Sequence, residues 1–308
     1  MKKKQMIENV VHGLFLLLGL ITVGCVLLIT VYLVISGIPA IHKIGLIKFL
    51  FGTEWAPNEA NPQYGILTFI LTSIYGTAGA ILLGLPVGFF TAVYLSKVAN
   101  PKIKKLMQSF VSLLAGIPSV IYGLVGMLIL VPGIKRLFHV PDGASLLAAI
   151  LVLSIMILPS VIKMSVTALD AVPKEYEEAS LALGATQTET YFRVSVPAAK
   201  SGIAAAIVLG IGRAIGETMA VMMVAGNATN MPDSLFQSVR FLTSAVAGEM
   251  SYAGGLQREA LFSVALVLFL FIMILNATLN FFLKRGVKPV QIYISPFMNT
   301  SYCFRLIL

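Results

Sequence analysis

The sequence predicts an all-α integral membrane protein with six transmembrane helices, and three observations support this prediction. Of the 308 residues, 58% are hydrophobic and only 11% are charged, whereas a soluble domain carries about 25% charged residues. The mean hydropathy is +0.92. The apolar residues form long continuous runs instead of the short alternating segments that are typical of a transmembrane β-barrel. Too few charges remain to cover a soluble globule, so the chain is expected to lie in a bilayer.

Six apolar runs are long enough to cross a bilayer, which takes about 20 residues. They lie at about 11–35, 66–95, 106–131, 144–166, 202–225 and 260–283. The first run follows Met1 and three lysines, as in a secretory signal, but it is roughly twice the length of a signal's apolar region and is predicted to be a retained helix. The six runs are assigned to one transmembrane domain at 1–285. No role is assigned to the tail at 286–308.

The basic residues predict the orientation of the chain. Fifteen of the 22 lysines and arginines flank one side of the predicted spans, six flank the other, and Arg213 lies inside a span. Because cytoplasmic loops carry the excess of positive charge, both termini are expected in the cytoplasm. The net charge of +9 therefore indicates orientation and not a nucleic-acid surface. Cys25, Cys303 and the scattered histidines predict neither a disulfide nor a metal site.

Glycine and proline interrupt the second and third spans. Pro86 lies in the second, and the third contains the segment Gly116-Ile-Pro-Ser119. Proline removes a backbone donor, and a membrane tolerates such breaks where protein or a water-filled cavity satisfies the freed carbonyl groups. The breaks serve either helix packing or the lining of a translocation pathway. Both interpretations stay open for Ser119 and Tyr122.

The fifth span carries two charged residues, Arg213 and Glu217. Arg213 lies near the middle of the span, where a charged residue costs about 2.5–3.5 kcal/mol on insertion scales and must face protein or water. Glu217 follows at i+4, so the two side chains are expected to pair on one helical face. Gly212 and Gly216 have the spacing that permits close helix contact.

Two hypotheses explain this charged segment. It is either a buried ion pair that fixes helix packing or a polar patch that lines a translocation pathway. In the second case Arg213 favours an anion, because a guanidinium matches the geometry of an oxyanion. Glu217 would then hold the guanidinium in place or accept a proton from a protonated oxyanion, and Thr218 would add a hydroxyl group.

The loop at 170–200 is the most charged stretch of the chain and is expected on the cytoplasmic side. Pro173 and the acidic residues after it predict the start of a helix, and Gly184 predicts its end. Thr186 and Glu189 fit a capping box that opens a second helix, which Pro197 would end. The loop holds more apolar residues than a solvated connector needs. It is therefore either a docking surface for another protein or a helix pair lying against the membrane.

The same loop resembles the Glu-Ala-Ala motif of the permease subunits of ABC importers. The residues that carry the resemblance are Glu178, Ala179, Ser180, Gly184, Val194 and Pro197. Their spacing matches the family pattern throughout. The departures are Ser180 for alanine, Val194 for isoleucine and Val196 for leucine, all of them small or apolar exchanges.

Within that family the chain is similar to phosphate-specific permeases of the PstC type over about residues 10–285, through segments 115–124, 212–221 and 226–227. The resemblance implies a type I ABC importer permease in a bacterial plasma (inner) membrane that moves inorganic phosphate into the cytoplasm. It implies three protein partners: a second similar permease subunit, an ATP-binding cassette ATPase dimer that binds ATP and Mg, and an extracytoplasmic phosphate-binding protein. The loop from Glu178 to Pro197 would insert into the ATPase, and no cofactor is expected in the chain.

An enzymatic function is not expected, since the sequence has neither a Gly-x-x-x-x-Gly-Lys-[Ser/Thr] loop nor a hydrolase signature. Two alternatives to phosphate import remain. The same fold would serve another oxyanion, such as sulfate or molybdate, because Arg213 alone does not separate these anions. A secondary anion transporter would use Arg213 and Glu217 as a relay, but it would not require the cytoplasmic loop.

Overall fold

A computed structural model describes residues 2–286 of the chain. Its α-helices have the following bounds: α1 Lys2–Ile44, α2 Leu46–Phe51, α3 Leu67–Val93, α4 Pro101–Gly116, α5 Ser119–Val125, α6 Val131–Phe138, α7 Leu146–Asp170, α8 Lys174–Ala182, α9 Gln187–Thr190, α10 Val196–Ala198, α11 Lys200–Gly216, α12 Met219–Val224, α13 Leu242–Glu249 and α14 Gly255–Gly286. Single π-helical turns follow three of them, at Tyr94–Val98, Gly126–Leu130 and Tyr191–Ser195. Two short antiparallel strands, β1 Trp55–Ala56 and β2 Gln63–Tyr64, form a hairpin.

The prediction of six spans agrees with the described helices. Five are long and apolar enough to cross a membrane: Ile7–Ile44, Leu67–Val98, Ser119–Phe138, Leu146–Asp170 and Gly255–Leu279. Helix α11 passes the same test only together with the segment Gln187–Ala198, from which it is bent by 72°, and this pair gives a sixth span if it counts as one broken span. The tail, apart from Gly286, lies outside the described residues.

The predicted third span at 106–131 is wrong in its placement. The helix breaks at Ile117, which has extended backbone angles (φ −71°, ψ 127°), because the residue before a proline avoids the helical region. Helix α4 therefore ends at Gly116, and the span-length helix begins at Ser119. Helix α4 carries its basic residues near its start and is a separate amphipathic element.

Helix α7 forms the centre of the fold. It packs against α3 and α11 along their lengths, and most of its side chains are buried, among them Leu153, Met156 and Ile157. Helix α1 lies at the edge, where its outer end contacts α14. There Ser263 Oγ donates a hydrogen bond to the Gly37 carbonyl oxygen at 2.5 Å. The remaining exposed apolar surface of α1 is consistent with contact to lipid.

Candidate functional site

Arg213 lies in the last turn of α11, and its side chain is hydrogen-bonded to a residue of α7. Its Nη1 donates a hydrogen bond to Ser160 Oγ at 3.1 Å. Gly210 allows α11 to approach α7 closely, since a Cβ added at that position would lie 3.0 Å from Val161 Cγ2. The helix contact therefore brings a guanidinium group and a hydroxyl group together inside the membrane span.

A cavity of about 530 Å³ opens beside Arg213, and it is lined by Ser160, Val208, Leu209, Gly212, Arg213 and Asn276. No carboxylate lines this cavity, and within residues 2–286 Arg213 has no ion pair. A guanidinium has five N–H donors, and Ser160 accepts from only one of its nitrogens. The remaining N–H donors of the guanidinium are therefore available to an oxyanion, which a guanidinium binds in a bidentate manner.

The expected pairing of Arg213 with Glu217 is wrong. Helix α11 ends at Gly216, and Glu217 has extended backbone angles (φ −70°, ψ 131°). Residues at i and i+4 share a face only where the helix continues through both. Glycine is a weak helix former, and Gly216 is the sequence signal that could have placed the end of the helix before Glu217.

Glu217 instead has a local structural contact. Its Oε1 accepts a hydrogen bond from the backbone N–H of Ala220 at 3.0 Å, and its own carbonyl oxygen accepts one from Thr243 Oγ1 at 2.8 Å. The side chain is buried. Glu217 thereby satisfies an N–H group at the start of α12, which would otherwise lack a partner. The hydroxyl of Thr218 donates to the Gly216 carbonyl oxygen at 3.3 Å, across the same break.

Tyr122 and Ser119 lie on the helix that packs against α12. A Cβ added at Gly123 would lie 2.8 Å from Ala220 Cα, so this glycine allows α5 and α12 to approach closely. The Tyr122 hydroxyl donates to the Leu114 carbonyl oxygen at 2.8 Å, which also accepts from the backbone N–H of Ile117 at the end of α4. Tyr122 is also within electrostatic reach of Arg213. Ser119 is the half-buried first residue of α5.

The predicted helix, glycine turn and second helix of the loop at 170–200 are confirmed. Helix α8 is followed by Gly184 at φ +87°, a backbone conformation that favours glycine. Thr186 and Glu189 form both hydrogen bonds of the predicted capping box. The hydrogen bonds from the backbone and side chain of Thr186, with the charge of Arg193, hold the pKa of Glu189 below its usual range.

A largely buried ion pair anchors α8 to the end of the second span. Lys97 Nζ lies 2.5 Å from Glu177 Oε1 and also donates to the Leu169 carbonyl oxygen at 3.0 Å. Ser195 Oγ donates to the same Glu177 oxygen at 2.8 Å. Burial raises the pKa of Glu177, but the hydrogen bonds from Lys97 and Ser195 and the charges of Lys97 and Lys174 outweigh it and hold this pKa below its usual range.

A second polar cluster joins the ends of α3, α4 and α7. Lys104 Nζ lies 2.8 Å from Asp170 Oδ2, and Ser96 Oγ donates to Asp170 Oδ1 at 2.7 Å. Its side chains are more exposed than those of the Lys97–Glu177 pair. Both clusters connect the loop at 170–200 to membrane helices, so a displacement of the loop would be transmitted to them.

The outer face of the loop presents motif residues and apolar side chains to solvent. Glu178, Ala179, Gly184 and Pro197 are exposed, whereas Ser180 and Val194 are half-buried. Leu183 is 90% exposed, and Tyr176, Leu181 and Phe192 are exposed as well. Such a group of apolar residues around polar ones is typical of a protein interaction surface.

Comparison with known proteins identifies the family. The profile of the family described as binding-protein-dependent transport system inner membrane component matches residues 84–288. The chain belongs to this family. Its members are membrane subunits of ABC importers, which work with an ATPase and a binding protein, and they are not themselves enzymes.

Members of this permease family with similar sequences cover most of the chain. The chain is 38% identical over 266 residues to a probable ABC transporter permease protein, YqgH, of Bacillus subtilis, covering 84% of this chain and 86% of that protein. It is 34% identical over 276 residues to the phosphate transport system permease protein PstC of Haemophilus influenzae, covering 83% of this chain and 86% of that protein. A probable PstC of Methanocaldococcus jannaschii is 30% identical, covering 83% of this chain and 87% of that protein.

Solved structures of ABC importers share the fold. A permease chain of the inward-facing MetNI methionine transporter aligns with a TM-score of 0.54 and 19% identity, covering 73% of this chain and 95% of that one. A chain of a bacterial transporter for the import of alginate aligns with a TM-score of 0.56 and 14% identity, covering 80% of this chain and 93% of that one. The predicted type I ABC importer permease fold is therefore confirmed.

Sequence reasoning about this permease missed the residues that hold its loop. Lys97 and Lys104 were used only to predict the orientation of the chain. Glu177 was read only as one of the acidic residues that begin a helix, and Ser195 only as part of the segment at 194–197. The available signal was a lysine at the end of an apolar span and an acidic run at the start of the loop. The sequence did not show which charges meet, because these pairs join residues far apart in the chain.

A buried polar network lies at the end of the spans opposite the loop at 170–200. Glu249 is buried and accepts hydrogen bonds from Trp55, Gln257 and Arg240. Arg240 Nε donates in addition to the Asn227 carbonyl oxygen at 2.9 Å. This network ties the hairpin, α13 and α14 into one cap at that end of the spans.

Proposed function

We propose that this chain is the permease subunit of an ATP-driven importer that moves inorganic phosphate into the cytoplasm. The proposal rests on the environment of Arg213. This residue lies inside a span, donates a hydrogen bond to Ser160 and lines an open cavity. It has no carboxylate partner within residues 2–286. Phosphate has the oxyanion geometry that a guanidinium binds in a bidentate manner. Relatives named phosphate transport permeases that cover most of the chain support this choice of anion.

A second, similar permease subunit would complete the pathway. The cavity beside Arg213 is lined by residues of α7, α11 and α14 and is open, so one chain alone does not enclose an anion there. Many apolar residues of α4 and α5 are exposed, among them Phe110, Leu113 and Ile121. A partner subunit that packs on these helices would bury their exposed apolar surface, and we propose that the same partner closes the cavity.

The loop at 170–200 would couple the permease to an ATPase dimer. Its exposed apolar residues and the exposed Glu178 offer the contact surface, and ATP and Mg²⁺ would be bound by the ATPase subunits. An extracytoplasmic phosphate-binding protein would deliver the anion to the outer cap. In this arrangement the loop faces the cytoplasm, and both termini lie on the same side, in agreement with the distribution of basic residues.

Uptake of labelled phosphate at low external concentration tests the proposal. Cells that lack this gene are complemented with the wild-type chain or with an empty vector, and excess sulfate serves as competitor. The expected result is uptake that depends on the wild-type chain and is indifferent to sulfate. Equal uptake with the empty vector, in cells whose other phosphate systems are deleted, would contradict phosphate as the substrate.

A further inference from the structure

Helix α7 carries a polar face that this chain leaves uncovered. Ser160, Lys163 and Thr167 follow one another at steps of three and four residues, which places them on one side of the helix. Lys163 and Thr167 are exposed and Ser160 is half-buried. The opposite side packs in the core through the buried residues Val161, Ile162, Ser165, Val166 and Leu169. A hydroxyl, an ammonium and a second hydroxyl therefore form a row inside the span Leu146–Asp170.

This row leads from Arg213 towards the cytoplasmic end of the span. Ser160, its first member, is the residue that accepts the hydrogen bond from Arg213. With a rise of about 1.5 Å per residue, Lys163 lies roughly 5 Å further along α7, and Asp170 lies about 10 Å beyond Lys163. The two cationic groups are thus at successive depths in the span. The Arg213 cavity is lined by α7, α11 and α14, and the Lys163 cavity by α4 and α7, so α7 is the helix that both cavities share.

Lys163 has no carboxylate partner within the described part of the chain, although Lys97 and Lys104 near the same membrane face both have one. It lines a cavity of about 280 Å³ between α4 and α7, together with Gln108, Val111, Ser112, Ile162, Val166, Thr167 and Asp170. Asp170 is already bound by Lys104 and Ser96. An unpaired lysine inside a span is costly unless it faces water or an anion.

We propose that Lys163, with the hydroxyl group of Ser112, forms a second anion subsite that receives phosphate from Arg213 on its way to the cytoplasm. The Thr167 hydroxyl donates to the Lys163 carbonyl oxygen at 2.9 Å and stays within the helix. The proposal rests on the proposed phosphate import. An ammonium group is a compact, strongly hydrated charge with three donors, and it holds an anion less rigidly than a bidentate guanidinium does. A pathway needs such a site, because each anion must bind and then leave.

Thiol accessibility tests whether Lys163 faces the pathway. The variant Lys163→Cys is placed in a Cys25→Ser, Cys303→Ser background and assembled in the complete transporter in inside-out vesicles. A negatively charged, membrane-impermeant methanethiosulfonate is expected to label it, and millimolar inorganic phosphate is expected to slow labelling. Val87→Cys, at an exposed apolar position of α3, is the control and is expected to stay unlabelled. Absence of labelling at position 163, or labelling that inorganic phosphate does not slow, would overturn the subsite.

Uptake kinetics give a second test that separates this subsite from the proposed function. Lys163→Gln is expected to lower the maximal rate of phosphate uptake at least tenfold without changing the half-saturating concentration, and Lys163→Arg is expected to recover part of the rate. Lys105→Gln, at an exposed lysine of α4, is expected to transport normally. Normal uptake by Lys163→Gln would overturn the subsite alone. No phosphate uptake by the wild-type chain would overturn the proposed function with it.

Discussion

Lys97 Nζ lies 2.5 Å from Glu177 Oε1, and this ion pair joins the end of the second membrane span to α8, the first helix of the loop at 170–200. The pair is supported at both ends, since Lys97 also donates to the Leu169 carbonyl oxygen and Ser195 donates to Glu177. The side chains of Lys97 and Glu177 are only 9% and 20% exposed. We expect a loop held in this way to move together with α3 and α7.

Breaking this pair is expected to uncouple ATP hydrolysis from transport. Lys97→Met removes the charge and leaves Glu177 largely buried without its main partner, which is destabilising. We expect phosphate uptake to fall about tenfold or more while the assembled complex retains most of its ATPase activity. Both activities are measured on the purified complex in proteoliposomes.

Lys104→Met is the matched control, because it breaks the more exposed ion pair with Asp170. Exposed pairs contribute about 0–1 kcal/mol, so uptake is expected to fall by less than in Lys97→Met. Restoration of uptake by the exchanged pair Lys97→Glu with Glu177→Lys would support a role for the contact itself. Equal loss of uptake and ATPase activity in Lys97→Met would contradict coupling and indicate misfolding.

The Lys97–Glu177 pair is expected to persist at every physiological pH. Because the folded protein holds the pKa of Glu177 below its usual range, the pair stabilises the fold above the ordinary glutamate pKa of about 4.3. This contribution is lost as the pH falls through the lowered pKa. The difference in Tm between the wild type and Glu177→Gln is therefore constant from about pH 8 to about pH 5 and shrinks only in stronger acid. A difference that already vanishes near neutral pH would contradict this.

Gly184→Ala is expected to strain the turn between α8 and α9. Gly184 has φ +87°, and a Cβ at this position would contact nothing within 4 Å, so the effect is purely conformational. A left-handed backbone costs a residue with a Cβ about 1–2 kcal/mol. We expect weaker binding of the ATPase subunits to the permease, measured by co-purification. Gly13→Ala, in open space on α1, is the control, and equal ATPase recovery in both variants would contradict the prediction.

Glu217→Gln is expected to retain transport, whereas Glu217→Ala is expected to lose most of it. The glutamine side chain keeps an oxygen that accepts from the Ala220 N–H group, but alanine leaves that buried donor unsatisfied, which costs about 1–3 kcal/mol. Membrane abundance and phosphate uptake of both variants check this. A complete loss of uptake in Glu217→Gln at normal abundance would show that the charge itself is needed, and the ion-pair or relay hypothesis would return.

Hydropathy and local motifs predicted much of this fold. The long apolar runs, the capping box at Thr186 and the glycine turn at Gly184 depend on residues close together in the chain, and the structure confirms them. The third span was misplaced because hydropathy continues across Pro118 although the helix does not. The prediction of an Arg213–Glu217 pair was wrong for a similar reason. It assumed that the i,i+4 spacing of a helix continues past Gly216, where the helix ends.

Contacts between distant parts of the chain could not be predicted from the sequence. Neither Ser160 as the partner of Arg213 nor Glu177 as the partner of Lys97 follows from spacing, because helix packing decides which polar groups meet. The same holds for the buried Glu249, whose partners come from three separate segments. The residue types indicated which positions in the spans are polar. The packing of α7 against α3 and α11 determines which of these polar side chains contact each other.

The most direct measurement of the central claim is phosphate uptake by Arg213→Gln and Arg213→Lys at equal membrane abundance. Glutamine removes the charge, and lysine keeps the charge but not the bidentate fork. We expect uptake to be lost in Arg213→Gln and partly retained in Arg213→Lys, while both complexes assemble with the ATPase. Wild-type uptake by Arg213→Gln would contradict it and leave Arg213 as a structural partner of Ser160.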